Sequence, residues 1–538
     1  MKPWQWRLCV GFLTAGFLAA GFVLIGDYGL FFDDPENFGI GHKYLYFYRS
    51  GHLDIQDSLP DIESHGAVYY NKFLKSTPFG IWPLANILSA FTCEGFFQKA
   101  RLLGPVAAHH AIAPLLTALF GVLFYYYGRR LWGRGVSVCS WLLLLTLPRF
   151  FGEAVSNIKD APLTAFFGIA LLAWGYWQRR GRLRDFYTAV FFAACALATK
   201  FDAVLLFALF GFLGLVQGRR FFFRLRGLRW HLAAGLLGAG IFIIFLFPPL
   251  WAPGDSRQWF FSGMGLYLLK VGLRPWIGWN LYAPTQFFLT APVLFFFFVL
   301  LGLSGLKVIP RRRRYADMLL ASWFLLPVLR HCLPYANHYD GIRHFLYVLP
   351  AAAVIAVLGA RRAWKFLALR IRRMRVKWLY LLLGAVFLEN IWGIAATHPY
   401  ERTYFSPLIG GLKGAQSLGV PYSFDQWLAS FREMAAWLDK HAQPGSRVWV
   451  YPRLDHLQYQ LARQDLKARL WDAGDYSRGG YFVFIPYDRS WVKPQVPAEF
   501  LEASRVLREE GFAKVYEVRR QGGVVGTVYF KRGTENRE

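Results

Sequence analysis

Long apolar runs alternate along the chain with short polar segments. An uncharged run of about 17 to 22 residues is long enough to cross a bilayer as a helix. The sequence contains about eleven such candidate spans: 8–26, 105–127, 136–148, 161–177, 186–199, 201–217, 231–251, 285–306, 316–333, 344–360 and 378–396. The third and fifth runs are short for a span, so a tilted, broken or partly re-entrant helix is also compatible with the pattern there. The alternation predicts a polytopic α-helical membrane protein with about 11 transmembrane helices.

The pattern changes after about residue 397, where charge rises and the long apolar runs end. Apolar residues recur at helical spacing over 424–440, and alternating segments predict strands. The predicted strands are 447–451, 481–485, 514–518 and 524–529, with a further helix at 497–509. We therefore predict two domains. A transmembrane domain, 1–397, carries a long first outer loop at 27–104, and a small α/β domain, 398–538, lies outside the membrane.

Basic residues are distributed in a way that predicts the orientation in the membrane. The chain has 538 residues, 55% hydrophobic and 17% charged, with a formal net charge of +28. Of its 61 Lys and Arg, 27 lie in six short segments that contain no acid: 1–7, 128–135, 178–184, 218–230, 307–315 and 361–377. With eleven spans these segments all fall on one side, which the positive-inside rule makes cytoplasmic. The N-terminus is then cytoplasmic, and the C-terminal domain is periplasmic or otherwise extracytoplasmic.

This distribution also bears on possible partners. A strongly basic chain often binds nucleic acid, and the run of four Arg at 311–314 would suit such a site. Directly after an apolar stretch, however, a basic run is more typical of a topogenic anchor at lipid headgroups. We therefore expect membrane lipids and no nucleic acid as partners.

Two adjacent carboxylates, Asp33 and Asp34, follow the first predicted span. They lie between Phe31-Phe32 and Pro35, an apolar setting in which burial and like charge would raise the pKa of one carboxyl. Such a group can act as a general base towards a hydroxyl or amine. The structural alternative is that one Asp caps a helix that starts at Pro35. Both interpretations can hold if one Asp caps while its neighbour faces a cavity.

Charged residues gather at three further places on the predicted outer side, at 148–162, 199–202 and 337–344. Ionisable groups close to lipid are costly and usually functional, although mixed charges in a short loop can also simply pair with one another. Cations there suit a phosphate leaving group, and a carboxylate can orient a partner. The candidates are Arg149, Lys159, Asp160, Lys200, Arg343 and His344.

Cysteine and histidine positions show no pattern of their own. The five cysteines have no spacing typical of a disulfide framework or a zinc site. The histidines likewise match no HExxH or ligand-pair motif: the adjacent His109 and His110, and the isolated His42, His65, His331, His338 and His344. The sequence therefore predicts no metal site built from these residues.

The four polar clusters resemble those of the GT-C superfamily of membrane glycosyltransferases, specifically glycosyltransferase family 39. Relatives in that family include the protein O-mannosyltransferases and the aminoarabinose transferase of lipid A. Residues 33–38 are similar to the Asp-Glu-x-x-x-Phe/Tyr pattern of the first outer loop, with Asp34 where the family usually has Glu. The other matching segments are 148–162, 339–344 and 404–415.

The resemblance implies a GT-C type fold and an inverting transfer from a polyprenyl-phosphate sugar, of the undecaprenyl type, to an unknown extracytoplasmic acceptor. Asp33 would be the general base and Asp160 would position acceptor or base. Asp34 departs from the family, which weakens any metal-binding or orienting role for it. Lys159, Lys200, Arg149 and Arg343, with His344, would contact the donor phosphate.

No cofactor is required by these features: the sequence has no dinucleotide or P-loop motif, and a divalent metal near Asp33 and Asp34 is possible but not needed. The alternative function is a transporter or flippase of a lipid-linked glycan, which would also place charges at the outer ends of spans. Transporters usually show repeated halves, and we find no convincing internal repeat. A bacterial cytoplasmic (inner) membrane location is expected for either.

Overall fold

Helices make up most of the described residues as far as residue 397. The computed structural model describes residues 2–51, 82–248, 251, 278–306, 315–334, 340–371, 375–486 and 497–533. The α-helices of this part are Pro3–Leu24, Asp34–Ser50, Leu84–Cys93, Pro105–His110, Ile112–Leu131, Arg134–Thr146, Pro148–Ser156, Asp160–Arg180, Leu183–Leu197, Leu205–Gln217, Arg219–Gly227, Arg229–Leu246, Tyr282–Thr290, Val293–Leu303, Tyr315–Arg330, Leu349–Arg370 and Lys377–Thr397. Among the described residues each predicted span lies largely on helix, which confirms a helix-rich fold.

The predicted count of eleven spans is not confirmed. Within the described residues, five helices are long and apolar enough to cross a membrane: Pro3–Asp27, Pro105–Leu131, Arg229–Leu246, Gly341–Arg370 and Lys377–Thr397. A sixth is added if two helices that meet at 77°, Arg134–Thr146 and Pro148–Ser156, are counted as one broken span. The remaining runs form helices that fall short in length or hydropathy. The chain is thus a multi-pass membrane protein, and its orientation stays a prediction.

The helix Asp160–Arg180 lies at the centre of this body, with nearly all of its side chains buried. Gly168 allows the close approach of a neighbouring helix, since a Cβ there would lie 2.6 Å from the ring of Phe120. Asp160 begins the helix and Arg179-Arg180 end it, roughly 30 Å apart at 1.5 Å per residue. The predicted cytoplasmic basic segment and the Asp160 carboxylate therefore lie at opposite ends of the same helix.

The C-terminal part folds around a five-stranded sheet, which confirms a small α/β domain. Its strands are β1 Arg447–Tyr451, β2 Lys467–Leu470, β3 Gly479–Phe484, β4 Ala513–Arg520 and β5 Gly523–Arg532, in the order β2-β1-β3-β5-β4. β1 runs parallel to β2 and β3, whereas β5 is antiparallel to β3 and β4. Aromatic side chains of β1 and β3 pack against the helix Ala498–Glu509 on one face, and the helix Phe431–His441 covers the other.

Four strands and the helix near 498–509 agree with the sequence prediction. The helix predicted at 424–440 is corrected, because it begins only at Phe431. The preceding residues form turns in which Tyr422 and Leu428 have positive φ, 64° and 63°, and helical backbone cannot continue through such residues. β2 was not predicted, because it is short and largely exposed and so lacks an apolar alternation. The domain boundary at 397/398 stays a prediction.

Candidate active site

Charged side chains from four distant parts of the chain meet at the Asp160 end of the central helix. Asp33 precedes the helix Asp34–Ser50, Asp160 begins the central helix, and Lys200 precedes a short 3-10 turn. Arg343 lies in the 3-10 segment Gly341–Val348. The structure thus brings together residues that are as many as 310 positions apart, all of them predicted as site candidates.

Asp160 is the buried centre of this cluster, with 1% of its side chain exposed. Its Oδ1 accepts a hydrogen bond of 2.6 Å from Lys200 Nζ, and its Oδ2 lies 3.7 Å from Arg343 Nη1. Asn157 Oδ1 accepts from the backbone N–H groups of residues 159 and 160, which caps the start of the helix. Two cations on one buried carboxylate keep Asp160 ionised, and the cap fixes its position.

Arg343 links the carboxylates of the cluster. Its Nη1 lies 3.3 Å from Asp33 Oδ2, and its Nη2 donates to Asp340. Asp340 and Gly341 both have positive φ, 57° and 66°. A Cβ at Gly341 would lie 2.9 Å from Arg149 Nη1, so glycine permits both this turn and its close packing. Burial raises the pKa of Asp340, although the charge of Arg343 opposes the shift.

The neighbouring Asp33 and Asp34 have different environments. The Asp33 side chain is 42% exposed and makes no capping hydrogen bond, so the capping role considered for it is wrong. Asp34 is buried, and its Oδ2 accepts from the Phe31 N–H and lies 2.8 Å from His110 Nε2. Asp34 therefore stabilises the turn over residues 31–34, whereas Asp33 faces Arg343. Because the two carboxylates contact different partners, they do not fit a divalent cation shared between them.

The environment of Lys159 differs from that of Lys200 and Arg343, which both form ion pairs. Its side chain is half-buried and forms no ion pair within the parts of the chain that the structure describes. Burial lowers the pKa of Lys159, although the nearby carboxylate of Asp33 opposes the shift. The ammonium group is therefore positioned near the cluster without being neutralised by it.

Arg149 and His344 lie at the edge of the cluster. Arg149 is buried; its Nε donates to the Tyr404 carbonyl oxygen at 3.0 Å, and its guanidinium lies 5.0 Å from the centre of the Phe405 ring. His344 is also buried, with Nδ1 3.3 Å from Lys200 Nζ. Arg149 thus anchors the 404–405 segment, and His344 packs beside the lysine.

Two further residues reach the site from beyond residue 397, and sequence reasoning missed both. Trp427 lies between two guanidinium groups, with Arg343 Cζ 4.2 Å and Arg402 Cζ 4.6 Å from its ring centre. Arg402 also pairs with Glu153 at 3.1 Å and stacks on Phe31 at 3.9 Å. No local signal marks Trp427, since its spacing fits an ordinary apolar helix face.

The formal charges of the eight ionisable side chains at and around Asp160 sum to zero. The carboxylates are those of Asp33, Asp160, Asp202 and Asp340, and the cations are Lys159, Lys200, Arg330 and Arg343. Asp202 extends the network, because its Oδ1 lies 3.2 Å from Arg330 and its Oδ2 lies 3.7 Å from Lys200. The arrangement can present one accessible carboxylate beside several fixed positive charges.

Comparisons with solved structures give similarities over most of the chain. ArnT from Cupriavidus metallidurans in the apo state is 14% identical over 97% of each chain, with a TM-score of 0.46. The same protein bound to undecaprenyl phosphate is 14% identical over 98% of each chain, with a TM-score of 0.42. The oligosaccharyltransferase AglB from Archaeoglobus fulgidus, in complex with an inhibitory peptide and a dolichol-phosphate, is 12% identical. That match covers 85% of this chain and 64% of AglB, with a TM-score of 0.43.

The sequence comparison is more specific. Among curated proteins none matches the chain. Residues 106–251, however, match the family described as dolichyl-phosphate-mannose-protein mannosyltransferase. This segment contains four of the predicted site residues, namely Arg149, Lys159, Asp160 and Lys200, together with Asn157, which caps the start of the central helix. The match indicates a glycosyltransferase enzyme, and over residues 106–251 it confirms the resemblance to the GT-C glycosyltransferases of the protein mannosyltransferase type.

Proposed function

We propose that this protein is an inverting glycosyltransferase that moves a sugar from a polyprenyl-phosphate donor to an extracytoplasmic acceptor, with Asp33 as general base. One observation carries the proposal. Asp33 is the accessible carboxylate of the cluster, 42% exposed, against 1% for Asp160 and 18% for Asp340. A base that meets an acceptor from outside needs this exposure, and Arg343 Nη1, 3.3 Å from Asp33 Oδ2, orients the carboxylate.

The proposed step is a single displacement. The acceptor oxygen or nitrogen attacks the anomeric carbon on the face opposite the phosphate and forms the new glycosidic bond. Asp33 takes the acceptor proton, and the bond between the anomeric carbon and the phosphate oxygen breaks. The products are the glycosylated acceptor and a polyprenyl phosphate, which keeps the bonding electrons. Because the leaving group is a phosphate, positioning and charge stabilisation supply much of the catalysis.

The cations of the cluster suit the phosphate of the donor. Lys159 is our first choice, because its charge is not used in an ion pair with the described residues. Lys200 and Arg343 lie beside it but are already bound to Asp160. Arg149 and His344 are buried behind them, so we assign them a supporting role. Asp160 positions Lys200 and Arg343 and does not itself reach the acceptor.

The test is sugar transfer by purified protein from a panel of synthetic polyprenyl-phosphate sugars. We expect Asp33→Asn to lower kcat by about 10²- to 10⁴-fold, the usual contribution of a general base. Glu36→Gln is the matched control, because Glu36 is an exposed acid on the first turn of the same helix. Wild-type turnover in Asp33→Asn would refute the assigned base. Movement of donor lipid across liposomes without any transfer would favour a transporter.

A further inference from the structure

Three side chains of types that can bind a metal converge from three helices beside the candidate active site. His42 lies on Asp34–Ser50, Cys93 ends Leu84–Cys93, and His109 lies on Pro105–His110. One ligand atom of each lies within 4.8 Å of the others, and all three residues are buried. Among the described residues these three form the group whose geometry suits one metal ion. They are separated by up to 67 positions, so sequence spacing alone did not reveal them.

The distance between the two imidazoles matches shared coordination. His42 Nε2 and His109 Nε2 are 3.2 Å apart. Two nitrogens bound at about 2.0–2.1 Å to one tetrahedral zinc ion are separated by about 3.3 Å. The ring of His109 is also held in place, because it stacks on Phe38 with centroids 3.8 Å apart and planes 6° from parallel.

Hydrogen bonding at Nδ1 of His109 favours the tautomer that can bind a metal through Nε2. The Ser89 hydroxyl donates to the His109 carbonyl oxygen at 3.0 Å, so its only proton is used. The same Oγ lies 3.0 Å from His109 Nδ1, and both contacts are satisfied when Nδ1 carries the proton and donates it to Ser89. In that tautomer His109 Nε2 carries a lone pair, which accepts the N–H of His42 Nε2 across the 3.2 Å contact in the metal-free protein. Such a second partner on the far nitrogen is typical of metal-bound histidine.

We propose that His42, Cys93 and His109 bind a zinc ion. Two imidazole nitrogens and one thiolate are a donor set typical of zinc, and three protein ligands leave a fourth position for water. On binding, Cys93 loses its thiol proton to solvent. His42 gives its lone pair at Nε2, and its proton moves from Nε2 to Nδ1.

The ion would act by positioning rather than by contact with substrate. It would join the helix Asp34–Ser50 to Pro105–His110, and these helices are already linked by the contact of Asp34 with His110. Asp33 directly precedes the first of them. The site would therefore fix the segment that carries the proposed base, while its existence does not depend on the proposed transfer reaction.

The experiment measures metal in the full-length protein, purified without a polyhistidine tag. We expect about one zinc per chain by mass spectrometry, and at least tenfold less in Cys93→Ser and in His109→Gln. Cys195→Ser is the matched control, because Cys195 is a buried cysteine outside the cluster. Zinc content equal to the control in both cluster variants would refute the site.

Two measurements on the wild-type protein test the site without any variant, so that a folding defect cannot affect the result. A zinc chelator should lower the Tm, and added Zn²⁺ should restore it. Replacement by Co²⁺ should give the near-ultraviolet absorption of a thiolate-to-cobalt bond, with one equivalent at saturation. A chelator-insensitive Tm together with no such absorption would overturn the proposal.

Discussion

The guanidinium of Arg343 lies 4.2 Å from the centre of the Trp427 ring and at the same time reaches Asp33 at 3.3 Å. Arg343 belongs to the helical body, whereas Trp427 belongs to the predicted C-terminal domain. The indole therefore holds the side chain that orients the proposed base. Phe32, next to Asp33, also donates its backbone N–H to the Trp427 carbonyl at 3.1 Å. The C-terminal part is thus a component of the site.

We expect Trp427→Leu to lower sugar transfer by about 5- to 30-fold. A partly desolvated cation–π contact stabilises by about 1–2 kcal/mol, and its loss frees Arg343 from the ring. Trp437→Leu is the matched control, because Trp437 stacks on Tyr516 within the sheet domain. Equal activities of the two variants in the transfer assay would contradict a role of the indole in the site.

Lys159→Gln should raise the KM for the lipid donor by about 10- to 100-fold and change kcat less. The reason is that a hydrogen bond from an ammonium to a phosphate contributes about 1.5–3 kcal/mol to binding. Steady-state kinetics with varied donor measure the effect. Lys99→Gln, at an exposed lysine of the segment Glu94–Lys99, serves as the control. A donor KM equal to that of the control would contradict the assignment of Lys159 to the phosphate site.

Asp160→Asn should destabilise the protein by about 3 kcal/mol. The substitution leaves Lys200 and Arg343 without their shared buried carboxylate, and an uncompensated charge in such a site is costly. Lys200→Met added to Asp160→Asn should recover part of the loss, because the unpaired cation is then gone. Thermal unfolding of the four proteins in the double-mutant cycle gives the coupling. Additive effects would show that the pair is not coupled.

The link between the first helix and the C-terminal part should depend on pH through His398. Its Nδ1 lies 2.7 Å from Glu401 Oε1 and its Nε2 lies 3.0 Å from Asp27 Oδ2. Burial opposes protonation of the imidazole, but the hydrogen bonds and charges of Glu401 and Asp27 outweigh it and raise the pKa of His398.

Because the folded-state pKa is raised, the stabilisation is fully present below the unfolded value of about 6.5 and is lost as pH rises through the folded value. His398→Gln should therefore lower the Tm more at pH 6 than at pH 8.5. His441→Gln, at an exposed histidine of the sheet domain, should show no such difference. A Tm loss for His398→Gln that is the same at both pH values would contradict this assignment.

Much of the candidate site follows from where charged residues interrupt the apolar pattern. Asp33, Asp160, Lys200 and Arg343 were predicted as separate clusters on one side of the membrane, and the structure brings them into one network. Burying an ionisable group near lipid is costly, so these groups share the ends of helices and pair with one another. The different roles of Asp33 and Asp34 did not follow, because adjacent residues in a turn can face different neighbours.

The sequence by itself determined the helical body and most strands of the C-terminal sheet, because hydrophobic periodicity and chain-breaking residues act over short stretches. Only the tertiary structure decided which distant side chains meet. Trp427 between Arg343 and Arg402, and His42 beside Cys93 and His109, depend on the packing of segments far apart in the chain. Such contacts arise from the summed burial of whole helices, and no local pattern encodes them.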